Sequence, residues 1–245
     1  MVLSFLEVKA PVAQKLSHYQ TRIGILLLTI AVSTPIMCQN IYQYGVIPSI
    51  NLNKPLDNSW ELNLKIESRQ QFKKGFVNES SRFDYDYLLT DFSIIISNEI
   101  NYNTTFGFGF LSRIEQGYFI SRSIQQITCV KKYNSYKIVN RYTADQTFSK
   151  VEAPEYRFRY RASFEFPLKS QTIEPNKFYL KINNEYLNII QSNRYDLEIR
   201  LVPLLGYRFT NKNKLECGLD YRISNFLNDN SVNKLWLNIN YSILR

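Results

Sequence analysis

Three arginines at alternate positions, Arg157, Arg159 and Arg161, are the feature of this sequence that could most directly do chemistry. The residues between them are aromatic. Side chains of a strand point to opposite faces with period two, so three guanidinium groups would project from one face, about 7 Å apart. Such a row could attract or bind an anion. With carboxylates beside it, the same row could instead form a structural ion-pair network.

Counter-charges for these arginines are available at matching positions of the neighbouring predicted strands. Asp145 lies on one side, and Lys181 and Glu185 lie on the other. Closely spaced like charges that are partly shielded from water need such partners. We therefore expect a structural network first, and a site for an anionic small molecule as the alternative. The candidate site residues are Arg157, Arg159, Arg161, Glu165, Glu185, Arg194, Glu198 and Arg200.

Histidine is almost absent from the chain, which limits the enzymatic chemistry that it could perform. The only histidine is His18, in the predicted leader. Without imidazole there is no Ser–His or Asp–His dyad, and most zinc sites lose a ligand. We therefore predict no enzyme, no metal and no cofactor. A hydrolase using paired carboxylates among Glu165, Glu185 and Glu198 is the remaining enzymatic alternative.

The N-terminal segment is typical of a secretory leader. Its apolar run, Ile23–Met37, follows an arginine and is about 15 residues long, shorter than the roughly 20 of a membrane-spanning helix. We predict a signal peptide over residues 1–38 and one domain over residues 39–245. A lipoprotein modified at Cys38 is the alternative.

The rest of the chain reads as strands in which charged and apolar residues alternate, with no helical period of comparable strength. Short polar connections separate them, which favours a barrel or a sandwich. Counting the clear segments predicts an all-β, antiparallel, up-and-down transmembrane β-barrel of about ten strands, or twelve if a weaker segment at 43–53 pairs and one more strand is hidden. The clear segments are 58–71, 83–98, 103–115, 121–132, 136–149, 155–167, 177–189, 193–209, 213–223 and 231–243.

The alternation does not by itself decide which face points inward. A soluble lipocalin-like barrel has the same pattern with the faces exchanged. Two features favour the membrane version: the apolar faces are too bulky for a small barrel interior, and the charged faces carry both signs in near balance.

The net charge of +9 is distributed along the strands and not gathered in a basic tail, which argues against nucleic acid as a partner. Cys129 and Cys217 lie several strands apart, so we expect no disulfide.

A series of short motifs follows in a fixed order along most of the chain after the leader. The motifs are Trp60 with Glu67-Ser68-Arg69, Arg141-Tyr142 with Asp145-Gln146, Arg157 to Arg161, Pro167, Phe178-Tyr179-Leu180, Asn184-Glu185-Tyr186, Asn193-Arg194, Gly206-Tyr207-Arg208, Leu215-Glu216-Cys217-Gly218 and Tyr221. In this order they resemble a family of outer-membrane β-barrels found mainly in Bacteroidota and known as domain of unknown function 2490. The chain departs from the family pattern around residues 115–132.

The family has no established activity, so the resemblance implies a fold and a location without a mechanism. It implies a barrel in the cell outer membrane whose first partner is outer-membrane lipid. The function that we expect is non-enzymatic: a structural barrel or a narrow, porin-like pore with a charged lumen. Neither the ligand nor the oligomeric state is indicated by the residues.

Overall fold

The computed structural model describes residues 41–56, 59–76, 83–150, 152–168, 172–227 and 231–245 as one closed β-barrel. The predicted signal peptide, with His18 and Cys38, lies outside the described residues. Eleven strands follow one another around the barrel in chain order. They are β1 Ile41–Pro55, β2 Trp60–Phe76, β3 Asp86–Asn101, β4 Thr104–Glu115, β5 Tyr118–Lys132, β6 Lys137–Phe148, β7 Glu155–Pro167, β8 Lys177–Gln191, β9 Arg194–Arg208, β10 Asn213–Ser224 and β11 Val232–Leu244.

The barrel closes through a parallel pair, which the sequence did not predict. Strand β1 pairs with β11 in parallel, from Ile41 opposite Val232 to Asn53 opposite Leu244, whereas every other neighbouring pair is antiparallel. The count of eleven is slightly above the predicted count of about ten, and the prediction of a purely antiparallel barrel was wrong at this one pair. The weak segment 43–53 is a full strand, but the barrel-facing side of β1 carries no charged residue, so the alternation used to count strands was faint there.

The odd number of strands places the two ends of the chain at opposite ends of the barrel. We call the end that holds the start of β1 the N-terminal mouth; it also holds the connections after β2, β4, β6, β8 and β10. The C-terminal mouth holds the connections after β1, β3, β5, β7 and β9, together with Arg245, whose backbone N–H donates to the carbonyl of Asn53 at 2.9 Å.

Charged side chains face the lumen, the interior of the barrel, and apolar side chains face outward. The side chains of Arg157 and Asp145 are only 9% and 1% exposed. On the outer face of the same strand, Tyr156 and Phe158 are 53% and 51% exposed. The sidedness is thus the reverse of a soluble lipocalin-like barrel, as the sequence predicted. Among the described residues, no helix has the length and apolar character needed to cross a membrane.

Two tight turns fix the register of the hairpins β4–β5 and β8–β9. Gln116 and Gly117 have φ angles of 49° and 83°, and Ser192 and Asn193 have φ angles of 47° and 61°. Positive φ at both central residues is the type I′ geometry that matches the twist of a hairpin. The region around residues 115–132, where the chain departs from the family pattern, therefore forms a regular hairpin.

Two lumen glycines make room for large aromatic rings. A side chain at Gly45 would meet the ring of Trp236 at 2.5 Å, and one at Gly206 would meet the ring of Tyr179 at 2.2 Å. Both rings are fully buried. Gly107, by contrast, lies against the side chains of Ser97 and Gln126.

Replacing Gly206 with alanine should lower the free energy of unfolding by about 2 kcal/mol, because overpacking a filled site typically costs about 1–3 kcal/mol. The added methyl group would meet ring atoms of Tyr179 at 2.2–2.5 Å. Urea unfolding followed by the fluorescence of the buried Trp236 would measure the loss. The same substitution in a Tyr179→Ala background should be nearly neutral. Equal losses in the two backgrounds would contradict the packing argument.

Candidate functional site

The arginine row of β7 lies inside the barrel and is flanked on both sides by strands of matching parity. Asp145 of β6 stands directly opposite Arg157, and Glu185 of β8 stands directly opposite Arg161. Arg159, between them, faces Thr143 on one side and Leu187 on the other. The register therefore supplies a carboxylate beside the first and the third arginine but not beside the second.

Asp145 is the centre of the first group of charges. Its carboxylate accepts a hydrogen bond from Arg157 Nε at 2.5 Å. Arg122 Nε lies 3.4 Å from Oδ1, and Arg159 Nη2 lies 3.7 Å from Oδ2. A single buried carboxylate therefore serves three arginines from two strands, β5 and β7. Because the side chain of Asp145 is only 1% exposed, its charge is balanced by the arginines and hardly at all by water.

Glu185 is the centre of the second group. Arg161 Nη2 lies 2.7 Å from Oε1, and Arg200 Nη1 of β9 lies 3.6 Å from Oε2. Arg200 also donates through Nε to Glu198, which in turn lies 3.5 Å from Lys234 of β11. The two groups thus form a chain of charges that crosses from β5 to β11.

Glu165, at the opposite end of the row, belongs to a third group that faces the C-terminal mouth. It lies 2.7 Å from Lys137 and 3.9 Å from Lys181. Lys181 also lies 3.2 Å from Glu216, which accepts a hydrogen bond from the hydroxyl of Tyr179 at 2.7 Å. These contacts link β6, β7, β8 and β10.

Seven of the eight residues predicted for the site take part in these groups, and Arg194 does not. Arg194 is the first residue of β9, exposed at the N-terminal mouth and opposite Gln191 across the tight turn. No ion pair of Arg194 is found among the described residues. Its position at the strand end, beyond the buried part of the wall, explains the difference.

Several residues of the lumen network were not among the predicted site residues. Two bidentate pairs, Arg113 with Asp91 and Arg222 with Asp220, have nitrogen–oxygen distances of 2.7–2.9 Å. Glu216 is 1% exposed and contacts two lysines. Each of these residues occupies an alternate position on the lumen face of its strand. The same period-two pattern could therefore have predicted them from the sequence.

Three arginine atoms of the row are buried and have no hydrogen-bond partner among the described residues. They are Arg157 Nη2, Arg159 Nε and Arg161 Nε. Buried polar groups are usually satisfied by protein or by ordered water. The hydrogen bonding of the network is therefore incomplete along the arginine row.

The carboxylates considered for hydrolysis are each engaged with cations. Glu165 contacts Lys137, Glu185 contacts Arg161, and Glu198 contacts Arg200. Across the described ranges, no group of three or more histidine, cysteine, aspartate or glutamate side chains could hold a metal ion. Cys129 and Cys217 are free thiols, as expected from their separation in the chain.

The fold and the lumen together define a closed β-barrel with an ion-paired interior and an apolar exterior. The chain belongs to the family described as Protein of unknown function (DUF2490), which matches residues 45–233. That range runs from the first lumen glycine of β1 to the start of β11, so the family covers nearly the whole barrel. No curated protein and no solved structure matches the chain.

Replacing Asp145 with asparagine should lower the free energy of unfolding by about 3–5 kcal/mol, the usual result of removing one partner from a buried ion pair. Three arginines would lose their shared carboxylate. Urea unfolding of the wild type and the variant would measure the difference.

Glu174→Gln is the matched control for this substitution. Glu174 also has a lysine nitrogen, that of Lys177, at 2.6 Å, and the hydrogen bond lowers the pKa of the carboxyl. Its side chain is exposed, however, and exposed pairs contribute little. The control should leave stability unchanged. A similar loss in both variants would show that burial of Asp145 is not the cause.

Proposed function

We propose that this protein is a non-enzymatic outer-membrane β-barrel whose lumen is narrowed by its own ion-paired side chains. The observation that carries the proposal is the sidedness of the wall: aromatic and aliphatic side chains outside, and charges inside. Soluble monomers rarely expose a contiguous apolar patch of more than a few hundred Å². Lipid is the surrounding that makes such an outer face stable.

The strands are long enough for this role. The shortest of the described strands have 12 residues. At about 3.3 Å per residue this is about 40 Å, and a tilt of about 40° leaves a height of about 30 Å. A bilayer core is about 30 Å thick. The closed ring also leaves no unpaired strand edge facing lipid, which membranes require.

Electrostatic and ring interactions between side chains on walls that are not adjacent support the narrow lumen. Glu61 of β2 interacts electrostatically with Arg141 of β6, and Glu67 of β2 interacts with Arg222 of β10. These strands are not neighbours in the ring. Arg69 lies over the ring of Trp236 at 5.8 Å, which adds bulk to the same interior. Charged side chains on different walls that are close enough to interact electrostatically leave little room for a wide channel.

The non-enzymatic role rests on residue chemistry. The only histidine falls in the proposed signal peptide of residues 1–38. The carboxylates Glu165, Glu185 and Glu198 hold cations of the network, and a role as salt-bridge partners accounts for them. The resemblance to outer-membrane proteins of Bacteroidota supports the location.

Membrane fractionation tests the location. The protein should sediment with outer membranes and should migrate faster on a gel when it is not boiled, because a closed barrel resists denaturation by detergent. A variant that lacks residues 1–38 should stay in the cytoplasm. Recovery of the full chain wholly in the soluble periplasm would rule out the proposal.

Planar-bilayer recording tests the narrow lumen. The intact protein should give a conductance well below that of an open porin, because ion-paired side chains occupy the lumen. Arg159→Ala together with Arg161→Ala should raise the conductance by shortening two lumen side chains. Large, weakly selective current steps from the wild type would contradict a filled interior.

A second candidate function is binding of an anionic small molecule at the arginine row. The unpartnered donors Arg157 Nη2, Arg159 Nε and Arg161 Nε favour it. In a background that carries Lys132→Gln and Lys212→Gln, which removes two lysines of the C-terminal mouth, replacing all three arginines with glutamine should then abolish the remaining binding of pyrophosphate. The exposed Arg194→Gln in the same background serves as the control. Unchanged affinity in the triple variant would dismiss this candidate.

A further inference from the structure

A cavity of about 470 Å³ opens at the C-terminal mouth, apart from the arginine row. Its walls come from the β5–β6 and β9–β10 hairpins, the end of β7, the start of β8 and the end of β11. This volume is within the usual range of about 300–1,000 Å³ for small-molecule sites. The charged residues that line it are Lys132, Lys137, Glu165, Arg208, Lys212 and Lys214.

The charges of this cavity are unbalanced, unlike those deeper in the lumen. Five cations line it and Glu165 is the only carboxylate among its lining residues. Lys137 is paired with Glu165 at 2.7 Å, and Lys214 lies 3.2 Å from Glu216, which is deeper in the lumen. Lys132 and Lys212 are exposed, and neither has an ion pair among the described residues.

Like charges face one another across the strands at this mouth. Lys132 stands directly opposite Lys137, and Arg208 stands directly opposite Lys214. Like charges at directly opposed positions destabilise a sheet. A bound anion would relieve both repulsions at once, so the pairs are arranged as a receptor for negative charge.

Arg208 holds the shape of the cavity. Its guanidinium donates to the backbone carbonyls of Ile173, Thr210 and Asn211 at 2.8, 3.2 and 3.1 Å. These bonds tie the connection before β8 to the turn before β10. They use neutral acceptors, so the positive charge of Arg208 remains uncompensated and adds to the field of the lysines.

Two tyrosines give the cavity an aromatic wall. The rings of Tyr133 and Tyr136 stack with their centroids 4.5 Å apart, and both line the cavity. Both side chains are largely exposed. An exposed stacked pair can hold the flat face of a sugar or of another ring beside an anionic group.

We infer that this cavity binds a phosphate-bearing small molecule that has a sugar-like or planar part. The lysines recognise the phosphate as point charges, and the tyrosines contact the ring. The phosphate could belong to a free solute or to the headgroup of a glycolipid or phospholipid. The inference does not rest on the membrane location, because the cavity belongs to the barrel in any surrounding.

Isothermal titration of the full mature barrel in neutral detergent tests the inference, with pyrophosphate and glucose 6-phosphate as probes. Both should bind, glucose should not, and added salt should weaken binding. Lys132→Gln with Lys212→Gln should weaken both probes by at least about tenfold, because two charge-assisted contacts are lost. Neither lysine has an ion pair in the described structure, so the fold should be preserved.

Lys73→Gln with Lys74→Gln is the matched control, since these lysines belong to β2 near the N-terminal mouth. Its affinity for both probes should equal that of the wild type. Failure of both probes to bind, or equal affinity in the two double variants, would overturn the inference. Tyr136→Ala should weaken glucose 6-phosphate more than pyrophosphate; an equal effect would overturn the aromatic part.

Lipid nanodiscs distinguish the two sources of phosphate. Discs of phosphatidylcholine alone should leave pyrophosphate affinity as in detergent. If discs that also contain phosphatidylglycerol weaken it in the wild type but not in the Lys132→Gln, Lys212→Gln variant, a headgroup occupies the cavity. Equal affinity in the two kinds of disc assigns the cavity to a free solute. Membrane fractionation measures the location of the protein independently of ligand binding. A failure of the probes to bind can therefore be distinguished from a failure of the proposed membrane location.

Discussion

The barrel depends on the sharing of a few buried carboxylates among many buried arginines. Asp145 serves arginines of β5 and β7, and Glu185 serves arginines of β7 and β9. Removing an ion from water costs several kcal/mol, which attraction repays only when partners are well placed. The partners of these arginines lie on neighbouring strands: Arg122 of β5 reaches Asp145 of β6, and Arg161 of β7 reaches Glu185 of β8. These charges are therefore satisfied only when the wall is assembled. This makes the network a constraint on the whole ring.

The central part of this network could be predicted because a strand has a strict period of two. Once β7 is recognised, the inward position of Arg157, Arg159 and Arg161 follows, and parity places Asp145 and Glu185 beside them. The structure confirms both placements. What parity does not give is contact between residues that are not directly opposite one another. The diagonal approach of Arg122 to Asp145 on the adjacent strand, and the approach of Lys181 to Glu216 two strands away, depend on side-chain length and on curvature of the wall.

The features that sequence reasoning missed are those without a charged, alternating face. Strand β1 presents Gly45, Ile47 and Ser49 to the lumen, so its pattern was weak although it closes the barrel. The parallel pairing of β1 with β11 also has no local sequence pattern that indicates it, because it joins residues separated by nearly the whole chain. The mouth cavity was missed for the same reason: Lys132 and Lys212 come from two different hairpins, and only the ring brings them to one opening.

Cations in the interior of the barrel are paired with carboxylates, whereas several cations at the C-terminal mouth are not, and this difference has a physical cause. Deep in the lumen water is scarce, so an unmatched arginine would be strongly destabilising, and nearly every cation there has a carboxylate within reach. At the mouth, water and salt screen the lysines, so unmatched charge can be kept at small cost to stability. Charge that is already neutralised inside a fold has little attraction left for a ligand. The exposed lysines around Tyr133 and Tyr136 retain theirs, which is why the rim, and not the arginine row, is the better place for this fold to recognise an anion.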